Sequence, residues 1–376
     1  MEDAEGRKVS KAVTQASDLW CSDDYGELNE KELMQEYRSS IFRKVLFILA
    51  CLVGMFIAAG ISLGKGTYPI PFLECYEIVW NHITGNIQDQ MLDYFVVEGR
   101  LPRIVLAMLT GVALAVCGSV MQSVMKNPLA DPYTTGISSG AGFGATIAIT
   151  ADITIIGGTY AVVGNAFIFA LIPMFVIIAV SKLNNSSPTT MIMAGIAIMY
   201  IFNAVSTVFK LIADPDNLSA LYKWQVGTLG AGGWDDILLI FIVVAAGTIL
   251  LQYFSRKLNV LSTGDDSAKA MGINVDQMRR LLLLVITLVV ATVVSFTGLI
   301  GFVGLVAPHI ARIFVGSDNR FLIPASGVFG AALLVVADVV GRTIISPATL
   351  EVGVITSFIG GPLFLYLVIR SKKSSW

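Results

Sequence analysis

The chain has 376 residues, of which 55% are hydrophobic and 14% charged, with a net charge of −2 and a mean hydropathy of +0.75. A soluble domain carries about a quarter charged residues, so this composition excludes an ordinary water-soluble globule, and the near-neutral balance gives no support for nucleic-acid binding. Four scattered cysteines (Cys21, Cys51, Cys75, Cys117) and two histidines (His82, His309) exclude a disulfide framework and leave little for metal or haem ligation by the chain itself.

Residues 1–40 stand apart, with ten acidic residues against five basic ones. They lack the basic n-region, short apolar stretch and small-residue cleavage site of a signal peptide. They are expected to form a soluble, partly helical cytoplasmic tail ahead of a membrane domain over residues 41–376. Apolar runs of about 20 residues, enough to cross a bilayer, then recur to the C-terminus. Spans are predicted over 45–63, 101–124, a Gly- and Ser-rich 137–156, 159–180, 191–211 and 237–254. A seventh starts at Leu281, the eighth is a short run over 303–315, and 322–340 and 352–369 complete ten. The fold class is therefore all-α and polytopic. With both termini cytoplasmic, 19 of the 25 basic residues fall on the inner side, and Lys65, Arg100, Arg103, Lys210, Lys223 and Arg342 on the outer. That is the asymmetry of the positive-inside rule.

Thirty-five glycines are an unusual density, and the stretch Gly136-Ile-Ser-Ser-Gly-Ala-Gly-Phe-Gly144 would make a poor helix in water. In a membrane small faces let helices approach closely; lining a pathway is the sharper alternative for some of them. ATP hydrolysis by this chain would need GxxxxGK followed by Ser or Thr. The nearest string, Gly60-Ile-Ser-Leu-Gly-Lys-Gly66, has the wrong spacing, and no HExxH, GxSxG or paired-carboxylate pattern occurs. Ion-coupled carriers place charges within their spans. Here the clear case is Asp338, four residues before Arg342, a spacing that predicts an intrahelical ion pair more readily than a proton site. Energy for transport is thus expected from a partner, not from an ion gradient.

The polar loop 258–280 is patterned. Ser262 or Thr263 is expected to cap a short helix carrying Asp265 and Asp266 in its first turn, with Gly272 ending it. Two readings stay open for such a helix, a docking element for another protein or a plain connector. His309 is expected to be a structural hydrogen-bonding residue rather than a metal ligand.

Four strings share one resemblance. Arg100-Leu-Pro-Arg103 opens the second span, and Asn127-Pro-Leu-Ala-Asp-Pro132 with Gly136-Ile-Ser-Ser-Gly140 follows it. Gly298-Leu-Ile-Gly-Phe-Val-Gly-Leu-Val-Ala-Pro-His309 comes after the seventh, and Gly353-Val-Ile-Thr-Ser-Phe-Ile-Gly-Gly-Pro362 enters the tenth. In this order and spacing they resemble the FecCD family of ABC importer permeases, which includes the membrane subunit of the cobalamin importer, from about residue 42 to the C-terminus.

The resemblance implies a type II importer. Two ten-span permeases, as a homodimer, surround a central pathway in the bacterial inner membrane, with two ATPase subunits below and a substrate-binding protein above. It implies that this chain is not an enzyme and binds no cofactor, ATP and Mg being used by the separate ATPase. It matches Thr263, Gly264, Asp265, Asp266, Ser267, Ala268, Lys269, Ala270, Met271 and Gly272 to the coupling helices that seat in the ATPase. Arg100, Arg103 and Arg342 match arginines that pair with acidic residues of the binding protein, anchoring to lipid phosphate being the competing view. Ser138, Ser139 and Thr189 are pathway candidates near the inner gate. The expected cargo is a metal chelate, foremost an iron(III)–siderophore or haem, then cobalamin, with molybdate also possible. From other classes, an ion-coupled secondary transporter and a non-transporting membrane scaffold or sensor are the alternatives. The resemblance says nothing about the acidic tail.

Overall fold

A computed structural model describes residues 30–66, 68–183, 188–230, 232–345 and 348–371. Most of the acidic tail and the basic residues Lys372 and Lys373 lie outside them. The chain divides into two units, residues 1–46 and 47–376; the described part of the first is helical from Glu30.

Among the described residues all regular structure is helical. Helix α1 (Glu30–Gly64) is followed by α2 (Phe72–Thr84) and, after a short helical and π-helical approach over 90–100, by α3 (Leu101–Met125). Then come α4 (Ile137–Ala151), α5 (Ala161–Leu183), α6 (Pro188–Ile212), α7 (Pro215–Val226) and α8 (Trp234–Tyr253). Two short helices, α9 (Ser255–Thr263) and α10 (Asp265–Ala270), lead into α11 (Val275–Thr297), α12 (Val303–Val315), α13 (Asn319–Thr343) and α14 (Val352–Ser371).

Seven of these are long and apolar enough to cross a bilayer, and α4, α12 and the apolar part of α14 are shorter. Taken in order, these ten helices occupy the ten predicted spans. The third is shorter than predicted: α4 stops at Ala151, where Asp152 turns left-handed (φ 53°). Its 15 residues reach about 22 Å. The eighth, α12, has 13 residues as its run suggested. Helices α2 and α7 were not predicted. Both connect spans, and α2 exposes Leu73, Trp80 and Ile83.

Helix α3 is the axis of the fold. Its apolar window is 78% buried, against 17% for α6, because it packs on α8, α11, α12 and α13. Pro102 sits in its first turn, directly after the π-helical turn Tyr94–Arg100, and the Val97 carbonyl of that turn accepts the Trp234 indole N–H at 3.2 Å. Gly111 and Gly118, two turns apart on one face, let the backbones of α13 and α12 come into contact. A Cβ at Gly111 would overlap the Gly330 carbonyl, and one at Gly118 the Gly304 carbonyl. In α4, Gly140 and Gly144 meet the Phe169 and Asn165 carbonyls of α5 in the same manner. The packing reading of the glycine-rich stretch therefore holds at these two positions. At Gly142 the nearest atom to an added Cβ is Leu299 Cδ1, at 4.0 Å.

Candidate functional site

Charge collects at the two ends of α3, which lie about 35 Å apart along the helix. At its first turn, Arg103 binds the α13 carboxylate of Asp338 through Nε at 2.8 Å and a terminal nitrogen at 2.8 Å. Arg342, one turn along α13, approaches the other Asp338 oxygen at 2.9 Å and also donates to Ser62 Oγ. The predicted Asp338–Arg342 pair is present, but a second arginine from another span shares the same carboxylate. The Asp338 side chain is 1% exposed, and two buried atoms in this group, Asp338 Oδ2 and Arg342 Nε, have no hydrogen-bond partner among the described residues. Arg100 instead donates to the Leu63 carbonyl and to the Tyr68 carbonyl at 2.6 Å, tying the end of α1 to α3. The three arginines thus gather at one end of the fold with a single carboxylate among Arg103, Asp338 and Arg342, which leaves that triad one positive charge.

At the other end α3 stops at Lys126, whose left-handed backbone (φ 49°) normally favours glycine. The turn is closed by Lys126 N–H donating to the Ser123 carbonyl and Asn127 N–H to the Gln122 carbonyl. The reason for a lysine here lies in its side chain, which reaches Asp265 Oδ1 at 2.5 Å. Arg279 of α11 holds the same carboxylate with both terminal nitrogens, at 2.9 Å and 2.7 Å, and donates to the Val124 carbonyl at 3.4 Å. The Arg279 side chain is 1% exposed. Burial pushes the Asp265 carboxyl up, but the Arg279 and Lys126 hydrogen bonds outweigh it and hold the group below its usual range. This contribution is present at neutral pH and is lost only in acid, as the pH falls through that depressed value. Asp265→Ala would leave Arg279 buried without its counter-charge, at a cost of about 3 kcal/mol.

The loop around Asp265 differs from its predicted capping. Ser262 and Thr263 belong to α9, where their hydroxyls donate to the Leu258 carbonyl at 2.9 Å and the Val260 carbonyl at 2.8 Å. Helix α10 starts instead from Gly264, at φ 145°, a backbone open to glycine. Ser262 and Thr263 both lie inside α9 and carry helical backbone, whereas an N-cap needs a non-helical one. Gly272 ends α10 as predicted: at φ 80° its N–H donates to the Lys269 carbonyl and that of Ile273 to the Ala268 carbonyl. Ala268 is buried, while Asp266, Ser267, Lys269, Ala270 and Met271 are exposed.

Beside this cluster, Asp318 caps α13 through the Arg320 N–H at 3.0 Å and also accepts from Asn259 Nδ2 at 2.7 Å. The Arg320 guanidinium hydrogen bonds hold its carboxyl at about 2, against a smaller upward push from burial. Sequence reasoning missed this link between α9 and α13, although Asp before a helix is a capping signal.

The Asn127–Pro132 string also has a structural cause. Asn127 Oδ1 accepts the Leu129 N–H at 2.9 Å and Asp131 Oδ1 the Thr134 N–H at 2.9 Å. Asp131 is buried, and burial pushes its carboxyl up to about 6 despite amide hydrogen bonds that lower it. A raised acid pKa means the folded chain holds its proton more tightly than the unfolded one. Stability therefore declines between about pH 4 and about pH 6 as this group ionises. Asp131→Asn keeps the cap acceptor and is expected to abolish that decline and stabilise the protein at neutral pH by about 1–2 kcal/mol, read from melting temperatures in detergent across pH.

The pathway candidates are not gathered into one cluster. Ser139 is buried and donates to the Gly136 carbonyl at 2.8 Å, Ser138 is half-buried, and Thr189 lies exposed in the first turn of α6. His309 is half-buried on α12, with Pro308 before it inside the helix, and among the described residues it makes no hydrogen bond. No group of three or more His, Cys, Asp or Glu among the described residues is placed to hold a metal.

A family model described as the FecCD transport family matches residues 51–370. The chain belongs to the FecCD transport family. It is 38% identical over 329 residues to the hemin transport system permease protein HmuU of Yersinia pestis, covering 87% of this chain and 95% of that one. It is 41% identical over 328 residues to the cobalamin import system permease protein BtuC of Halobacterium salinarum, covering 85% and 87% respectively. A solved structure of an ABC transporter assigned to the metal-chelate type, in an inward-facing conformation, superposes with a TM-score of 0.76 at 28% identity, over 86% of this chain and 98% of that one. The chain is thus a multi-pass membrane transport component, and the resemblance noted in its motifs is a true family relation.

Proposed function

We propose that this chain is the membrane-spanning subunit of an ATP-driven importer whose cargo is a metal chelate, an iron(III)–siderophore or haem in the first place. The observation that carries the reading is the family match over nearly the whole described chain, joined to relatives named for hemin and cobalamin. Two copies enclose the pathway, two separate ATPases hydrolyse ATP with Mg, and a binding protein delivers the cargo; this chain binds no cofactor of its own. Both termini face the cytoplasm, and the complex sits in the cytoplasmic membrane, the inner membrane of a bacterium. Helix α10 faces the ATPase, and Arg100, Arg103 and Arg342 face the binding protein. Cobalamin is the second reading, supported by the halobacterial relative at 41% identity. An ion-coupled carrier is disfavoured because the carboxylate that a proton or cation would use, Asp338, is held between two arginines.

Arg100 is the docking arginine to reverse, because reversing Arg103 would also place a second acid against buried Asp338. Arg100→Glu is expected to weaken binding-protein affinity by about tenfold or more, about 1.4 kcal/mol, while the permease–ATPase complex stays assembled. Unchanged affinity, measured by surface capture of the reconstituted complex, would remove Arg100 from the docking site.

A further inference from the structure

Helix α10 is six residues long, about 9 Å, and most of its residues are exposed. A helix this small cannot carry force through its own packing. It needs fixed attachments to the spans, and one carboxylate supplies two of them. Asp265, the first residue of α10, is bound by Arg279 of α11 and by Lys126 at the end of α3.

The fold of α10 does not need that carboxylate. The helix begins at Gly264 without a side-chain cap and ends on the Gly272 turn, both backbone features. The Asp265 side chain is turned away from its own helix and toward two spans that are 139 and 14 residues distant in sequence. Both receivers are rigid. Arg279 is buried on a long helix, and Lys126 sits in a closed left-handed turn at the foot of the most enclosed helix of the fold. Helix α3 joins Lys126 at one end to Arg103 at the other, and Arg103 binds Asp338 of α13.

We propose that Asp265 is the positioning residue that converts movement of α10 into movement of α3 and α11, and so ties ATP hydrolysis to the opening of the pathway. This rests on the reading of α10 as the ATPase contact. Removing the carboxylate strands buried Arg279 and lowers stability whichever role Asp265 has; the readout that separates the roles is the number of cargo molecules imported per ATP hydrolysed by the assembled complex.

The test uses the full complex of permease, ATPase and binding protein in proteoliposomes, with a ferric siderophore, haem and cobalamin each offered as cargo. In Asp265→Asn, co-elution with the ATPase is expected to persist and hydrolysis to stay within roughly twofold, while import per ATP falls at least about fivefold. Asp265→Glu keeps the charge and should retain most of the coupling. Lys126→Met cuts the direct link from Asp265 to α3, leaves the buried Arg279 pair and its Val124 hydrogen bond intact, and should lower the ratio without loss of folding. The double variant should be no worse than Asp265→Asn alone. An unchanged ratio in assembled Asp265→Asn and Lys126→Met complexes would overturn the proposal. Loss of the ATPase from an Asp265→Asn permease that itself elutes as folded protein would also overturn it, by making Asp265 part of the docking surface. The underlying reading is checked separately: Ser267→Cys, on the exposed side of α10, should cross-link to the ATPase. Absence of that cross-link defeats the reading itself, whereas a cross-link with an unchanged import ratio defeats only the role of Asp265.

Discussion

Gly118→Val is expected to abolish the accumulation of folded protein. A Cβ at this position overlaps the Gly304 carbonyl, so the obstacle is backbone against backbone and no side-chain rotamer relieves it. Separating α3 from α12 enough to admit the isopropyl group would also strip contacts from α11 and α13, which share the same central helix. Overpacking a tight interior costs about 1–3 kcal/mol where side chains can adjust, and here they cannot, so the loss should exceed that range. Gly111→Val should behave likewise against Gly330. Gly54→Ala is the control, because nothing lies within 4 Å of its added Cβ; its melting temperature in detergent should be unchanged or slightly higher. Size-exclusion yield and melting temperature of the three variants decide the matter. Wild-type stability for Gly118→Val would mean that α3 and α12 do not touch at this point.

Asp338→Ala is the second large effect. Removing the carboxylate leaves two half-buried guanidinium groups facing each other across α3 and α13, and breaking a buried pair by deleting one partner costs about 3–5 kcal/mol. Deleting an arginine as well should recover part of the loss, because the penalty is a stranded charge more than a lost attraction. The geometry also ranks the two partners. Arg103 makes a hydrogen-bonded pair through Nε, whereas among the described residues neither the Asp338 oxygen facing Arg342 nor Arg342 Nε has a hydrogen-bond partner. A double-mutant cycle on melting temperature should therefore give a larger coupling for Arg103–Asp338 than for Arg342–Asp338. The reverse order would show that the helical neighbour four residues away is the true partner.

The contrast between these two pairs shows what could be read from the chain. Asp338 and Arg342 are four apart on one helix, so their pairing follows from helical geometry alone. Arg103 reaches the same carboxylate from a residue 235 positions away, and no local rule contains that distance. The order of spans was legible because about 20 apolar residues in a row have few other uses. The ends of short helices were not, because α4 is terminated by a left-handed Asp152 that composition does not mark. In the loop, Gly272 was a sound helix end since it needs only one residue type and one turn. The cap at Ser262 or Thr263 failed because a separate helix, α9, extends through those hydroxyls. Lys126 is in sequence only one of the basic residues on the inner side, and acquires its meaning when Asp265 is folded against it.

The central claim, that this chain is a permease powered by a separate ATPase, is tested most directly by uptake into proteoliposomes. The permease is reconstituted with its ATPase and binding protein, ATP is supplied on the ATPase side, and ferric siderophore, haem and cobalamin are offered on the other. The expected result is accumulation of a chelate that stops when ATP or the ATPase is withheld and continues after the proton gradient is collapsed. Accumulation by the permease alone, driven by a proton gradient and indifferent to ATP, would contradict it.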